Sequence, residues 1–128
     1  MKESGIGLFN WFMKQEGTIN GYSKAIWTGV TTLTLAKAME RAAIENLTGI
    51  YNLVNNDNIN KFDLLRLFNQ YMRDGKLNIL SSDTVNLNKA LVNNRNDFSF
   101  EVPSYEQMIT EMREWVHTHE ELYPHYFR

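Results

Sequence analysis

The sequence predicts a mixed α/β domain. Three observations carry that expectation: apolar residues recur at three and four positions over several stretches, β-branched and aromatic runs fall between them, and turn-forming residues separate the two. At 128 residues and 15.0 kDa the chain is sized for a single domain spanning 1–128. A hydrophobic fraction of 43% and a charged fraction of 22% are those of an ordinary soluble globular protein. Thirteen Lys and Arg against fifteen Asp and Glu leave a net charge of −2. Without a basic footprint, neither a nucleic-acid nor an anionic-membrane partner is expected. No cysteine is present, which excludes disulfides, thiolate metal sites and cysteine nucleophiles. Fifteen asparagines point to many turns and caps, or equally to a codon bias.

The elements follow in order. Residues 5–15 carry Leu8, Phe9, Trp11, Phe12 and Met13, an apolar arc too wide for an exposed helix. Gly17 and Gly21 punctuate an extended stretch, 18–28, with Ile19, Tyr22, Ile26 and Trp27 as its bulky residues. Thr31 or Thr32 caps a helix over 33–46, whose stripe is Leu35, Ala36, Met39, Ala42, Ala43 and Leu47. Gly49 to Val54 reads as a short buried strand. Asn60 caps a helix over 61–73 built on Phe62, Leu65, Phe68 and Met72, and Asp74-Gly75 ends it. Leu77 and Ile79 suggest an edge strand through Leu80, and 81–102 has too few apolar residues to assign. Ser104-Tyr105-Glu106-Gln107 has capping-box form and opens a last helix on Tyr105, Met108, Ile109, Met112, Trp115 and Val116. The order is αβαβαβα.

Catalytic motifs are missing. His117 and His119 are two apart, so on a helix they face different ways, and a solvated helix end explains them better than a metal. Glu111, Glu114, Glu120 and Glu121 read as a solvated acidic face. Gly5-Ile6-Gly7 is followed at the next required position by Asn10, so the dinucleotide-binding loop is absent, as is a P-loop. Residues 6–13 are apolar but about ten residues too few to cross a bilayer, and no targeting signal is evident. A cytoplasmic location is expected, and Asn46-Leu47-Thr48 is read as a chance glycosylation match.

The segments GLFNWFM, IWTGVTTLTLAKAMERA, TGIYNLVN, INKFDLLRLF, NKALVNNR and VPSYEQMITEMREWV, in that order, resemble the C-terminal substrate-binding part of extended short-chain dehydrogenase/reductases. The nearest subgroup is the dTDP-4-dehydrorhamnose reductase-like, sugar-nucleotide-modifying enzymes. The resemblance implies an α/β fragment of helices packed with short strands, belonging to an enzyme that uses NAD(P) to reduce or epimerise a dTDP- or UDP-linked sugar. It also implies a Rossmann half, absent here, carrying a glycine-rich loop and a Tyr-x-x-x-Lys pair. Four residues after Tyr22, Tyr51, Tyr71, Tyr105 and Tyr123 stand Ile26, Asn55, Gly75, Ile109 and Phe127. No cofactor is therefore expected on this chain, and no catalytic residue is assigned. A truncated gene product, a split subunit or an excised domain would account for this.

Two substrate-binding positions follow from the resemblance. Trp27 stands where relatives carry a basic or aromatic residue, and could stack on a base or sugar or simply pack. Lys89 falls near the relatives' Arg-Pro pair and could meet a diphosphate as a point charge, or remain solvated. The usual Asp before the "LA" helix is replaced, since Thr34 precedes Leu35-Ala36. The expected partner is a Rossmann domain or subunit docked on the Phe9, Trp11 and Phe12 side, with self-association possible where that surface is uncovered. The alternative is a free-standing interaction or regulatory module that kept the fold and lost the enzyme.

Overall fold

Buried Ile19, Gly21 and Ala25 share a period of two, with exposed Thr18, Asn20 and Lys24 on the other phase, and this makes Thr18–Trp27 a strand, β1. It is the middle strand of three in the computed structural model, which describes residues 4–127. The two-residue β2, Ile59–Asn60, pairs antiparallel with the end of β1, and the twelve-residue β3, Asn78–Lys89, runs parallel to it on the other side. The β1–β3 ladder holds register from Thr18↔Asn78 to Tyr22↔Ser82 and resumes at Lys24↔Asn86. β1 advances two residues there while β3 advances four, so β3 bulges outward at the edge. The expected edge strand therefore continues through Lys89. Its apolar content is low because both faces of this edge are largely open to solvent.

Helix α3, Lys61–Met72, packs on the sheet and forms the centre of the fold. Asn60 caps it: its Oδ1 accepts from Asp63 N at 2.8 Å, and its Nδ2 donates to Asp63 Oδ2 at 2.8 Å. Leu64, Leu65 and Phe68 point into the core, and each such side chain contributes about 1.5–3 kcal/mol by leaving water. The helix approaches β1 closely at Gly21, where a β-carbon would lie 2.7 Å from Phe62 Cα. At its other end Gly75 N donates to Asn69 O at 2.9 Å through left-handed Asp74 and Gly75.

Helix α1, Leu8–Met13, buries Phe9 and Phe12 against Phe68, with ring centroids 5.1 and 5.6 Å away. This corrects the expected docking side: Phe9 and Phe12 are core residues of this chain, and only Trp11 of the three turns outward. Helix α4, Tyr105–Thr118, adds Ile109 and Met112 to the same core. Ser104 Oγ accepts from Gln107 N at 3.2 Å, but the Gln107 side chain turns to Glu111, so the reciprocal half of the capping box is not made. Two short 3₁₀ turns, Glu120–Leu122 and Pro124–Tyr126, fold back so that Tyr126 packs edge-on against Phe9 and donates to Asn10 Oδ1.

Two further expectations are corrected. Helix α2, Thr32–Ile44, is capped by Thr31 as anticipated, but it buries Thr34 and Ala38 and leaves Leu35 and Met39 exposed. Its alanine-rich stripe faces away from the core. Residues 49–54 form no strand. That segment lies beside 92–95, tied by side chains: Arg95 Nη1 donates to Thr48 O and Ile50 O at 2.7 and 3.0 Å, and Asn52 Nδ2 to Val92 O at 3.0 Å. Ile50 is 89% exposed. The β-branched and aromatic composition of 49–54 suits a strand, but no neighbouring strand supplies a ladder.

Candidate functional site

The ends of β1 and β3 meet at the site. Trp27 and Lys89 are register partners in the parallel ladder, so these two residues, distant in sequence, stand side by side. Both line one cavity of about 650 Å³, closed by Leu8 and Phe9 of α1, Leu64 and Phe68 of α3, and Tyr105, Met108 and Ile109 of α4. Its walls are mainly apolar, as in most small-molecule sites. Trp27 is half-buried: part of its ring packs on the core while the residue also forms cavity wall. Lys89 is exposed at the rim.

Lys61, the first residue of α3, lines the same cavity. Among the described residues neither Lys61 nor Lys89 has a carboxylate partner, although five other cations do. Two uncompensated positive charges at the mouth of an apolar cavity favour an anionic group there. Lys61 was not singled out from sequence, because nothing in INKFDLL separates a cavity lysine from a solvated one. Arg95, the one guanidinium in the 88–95 stretch, is committed elsewhere: it makes the two carbonyl contacts above and pairs with Asp97 at 2.6 Å.

A buried polar seam holds the site's strand ends in place. Thr28 Oγ1 accepts from Leu91 N at 2.9 Å and donates to Leu91 O at 3.3 Å. Asn55 N donates to Thr28 O at 2.9 Å, and Asn55 Nδ2 to Pro103 O at 2.7 Å. Tyr105 closes the seam, its hydroxyl lying 3.2 Å from Trp27 O and 3.1 Å from Asp57 O. Burial, and then the Asp57 charge, push the Tyr105 phenol up to about 12, so it stays a donor at neutral pH. Sequence placed Tyr105 only in a helix stripe; its hydroxyl's role depends on loops folded far from it in the chain.

The histidines lie away from this cavity. His117 Nδ1 and His119 Nδ1 are each 2.9 Å from a carbonyl of α4, those of Arg113 and Trp115. Among the described residues no three His, Asp or Glu side chains cluster as a metal site would require, and no helix is long and apolar enough to cross a membrane.

No protein-family model matches the chain, and no curated protein sequence matches it significantly. Solved structures do match. The dTDP-4-dehydrorhamnose reductase of Bacillus anthracis str. Ames, in complex with NADP, superposes with a TM-score of 0.68 at 17% identity over 84% of this chain. The dTDP-glucose 4,6-dehydratase of the same organism, in complex with NAD, gives 0.62 at 13% identity over 94%. The chain has the fold of part of these enzymes. It spans 42% of the length of each.

Gly5 and Gly7 precede α1, a helix of six residues, whereas a dinucleotide loop opens a full-length helix. No tyrosine is followed by lysine four residues on.

Proposed function

We propose that this chain is the substrate-binding portion of an NAD(P)-dependent, dTDP-4-dehydrorhamnose reductase-like enzyme of nucleotide-sugar metabolism, and that it is not catalytically competent alone. The observation that carries the reading is the meeting of Trp27 and Lys89 across the β1–β3 ladder at one apolar cavity. An indole face suits stacking on a base or sugar ring, and Lys89 with Lys61 suits a diphosphate. NAD(P) and hydride transfer belong to a second, nucleotide-binding half.

That half needs a surface to dock on, and the burial of Phe9 and Phe12 moves it. Outward apolar residues include Leu35 and Met39 on α2, and Ile50 and Val92 on the two segments joined by Asn52 and Arg95. A nucleotide-binding half covering these would bury an apolar face that this chain leaves open.

Titration with dTDP- and UDP-linked sugars, followed by tryptophan fluorescence, tests the reading. Saturable quenching is expected, with Lys89→Ala and Lys61→Ala each weakening binding by on the order of fivefold, roughly 1 kcal/mol. Absence of a response to either nucleotide, even with a nucleotide-binding half added, would overturn it.

A further inference from the structure

Position 29 carries a glycine that the backbone does not require. Gly17, Gly49 and Gly75 have left-handed φ values, and Gly29 does not. Space explains it instead. A β-carbon on Gly29 would overlap Cζ2 and Cε2 of the Trp27 indole and would lie 2.7 Å from its Nε1. The ring thus fills the volume that any other residue's side chain would take. Tyr105 packs on the same ring, with centroids 6.2 Å apart and planes inclined by 36°.

The surrounding backbone has little freedom to absorb an added atom. Thr28, between the two residues, is buried and holds Leu91 through both its hydroxyl bonds, and its carbonyl accepts from Asn55 N. Three segments would have to shift together for the chain at 28–29 to move. The indole is the free end of a side chain and can swing. A side chain at position 29 therefore displaces the ring and leaves the strand end where it is.

We infer that Gly29 is a positioning residue of the candidate site: its missing side chain is the seat that holds Trp27 as cavity wall. The ligand-binding consequence rests on the proposed function above, whereas the seat does not. With the ring seated, the cavity keeps a flat aromatic face beside Lys89; with the ring displaced, that face is lost.

The test uses the full chain with Trp11→Phe and Trp115→Phe, so that Trp27 is the sole emitter. Adding Gly29→Ala is expected to red-shift its emission and raise acrylamide quenching in the ligand-free protein, with the far-ultraviolet circular dichroism unchanged. Affinity for a dTDP- or UDP-linked sugar is expected to fall about tenfold, within the range that misplacing one contact group produces. In a Trp27→Leu background the same Gly29→Ala change should alter affinity no further. Unchanged emission and quenching in Gly29→Ala, or an equal loss of affinity in both backgrounds, would overturn the inference. If Gly29→Ala alone does not fold, recovery of folding by Trp27→Leu supports the seat, and failure of both variants overturns it. A spectral change in a protein that binds neither nucleotide sugar would leave the seat standing and defeat the binding reading.

Discussion

Tyr105 has one hydroxyl hydrogen and two carbonyls to satisfy, Trp27 O and Asp57 O, in a residue only 9% exposed. Tyr105→Phe removes the donor that serves both. A loss of about 1–3 kcal/mol is expected in urea unfolding. The phenol also sets an alkaline limit. Its folded-state value, about 12, lies above the ordinary 10.0, so its stabilising contribution is complete below pH 10 and is lost as pH rises toward 12. Burial raises Tyr126 to about 12 as well, with Tyr123 adding to the shift. Stability measured from pH 9 upward should fall through this window, and the fall should be shallower in Tyr105→Phe/Tyr126→Phe. Gly21 is a residue-scale determinant of another kind. An added β-carbon meets Phe62 backbone, which cannot swing aside as an indole can, so Gly21→Ala should cost about 1–3 kcal/mol in the same assay.

At the scale of elements, the main packing partner of α2 is α4. Helix α2 buries Thr34 and Ala38, and the Lys37 Nζ–Glu111 Oε2 pair at 2.7 Å spans the two helices. Lys37, and secondarily Gln107, hold the Glu111 carboxyl below its ordinary 4.5. The contribution is present above that value and disappears as pH falls through the lowered one. Because the Lys37 side chain is half exposed, the pair is worth only about 0.2–1 kcal/mol. Glu111→Gln should speed amide hydrogen exchange in α2 at neutral pH and abolish the acid-induced loss of protection expected of the parent. Helices α3 and α4 were legible in sequence from their caps and their three–four periodicity, and Asn60 and Ser104 hold the expected positions. The strand expected at 49–54 was not legible as what it is, because composition reports suitability for a ladder and not the presence of a neighbour. β3 beyond Leu80 failed in the opposite sense: pairing with β1 makes it a strand despite its polar sequence.

At the scale of the molecule, the exposed Leu35 and Met39 of α2, with Ile50 and Val92, leave apolar surface uncovered. Concentration-dependent self-association is expected in sedimentation velocity. Met39→Lys with Ile50→Lys should weaken it without lowering the unfolding midpoint, since both side chains are mostly exposed, 63% and 89%. Of the candidate site, sequence resemblance supplied Trp27 and Lys89 as separate positions. Lys61 and the Tyr105 hydroxyl carried no local signal, because a cavity residue and a surface residue can have the same neighbours in sequence.

The sequence by itself determined the α/β class, the three capped helices, the glycine that ends α3, and the want of a dinucleotide loop and a Tyr-x-x-x-Lys pair. These are local properties, fixed by side-chain chemistry within a few residues. Only the tertiary structure decided that Phe9 and Phe12 are core, that the stripe of α2 faces outward, and that Trp27 stands beside Lys89 over a common cavity. Those outcomes follow from the register of a parallel pair and from which face finds a partner, and both are set by contacts between segments far apart in the chain.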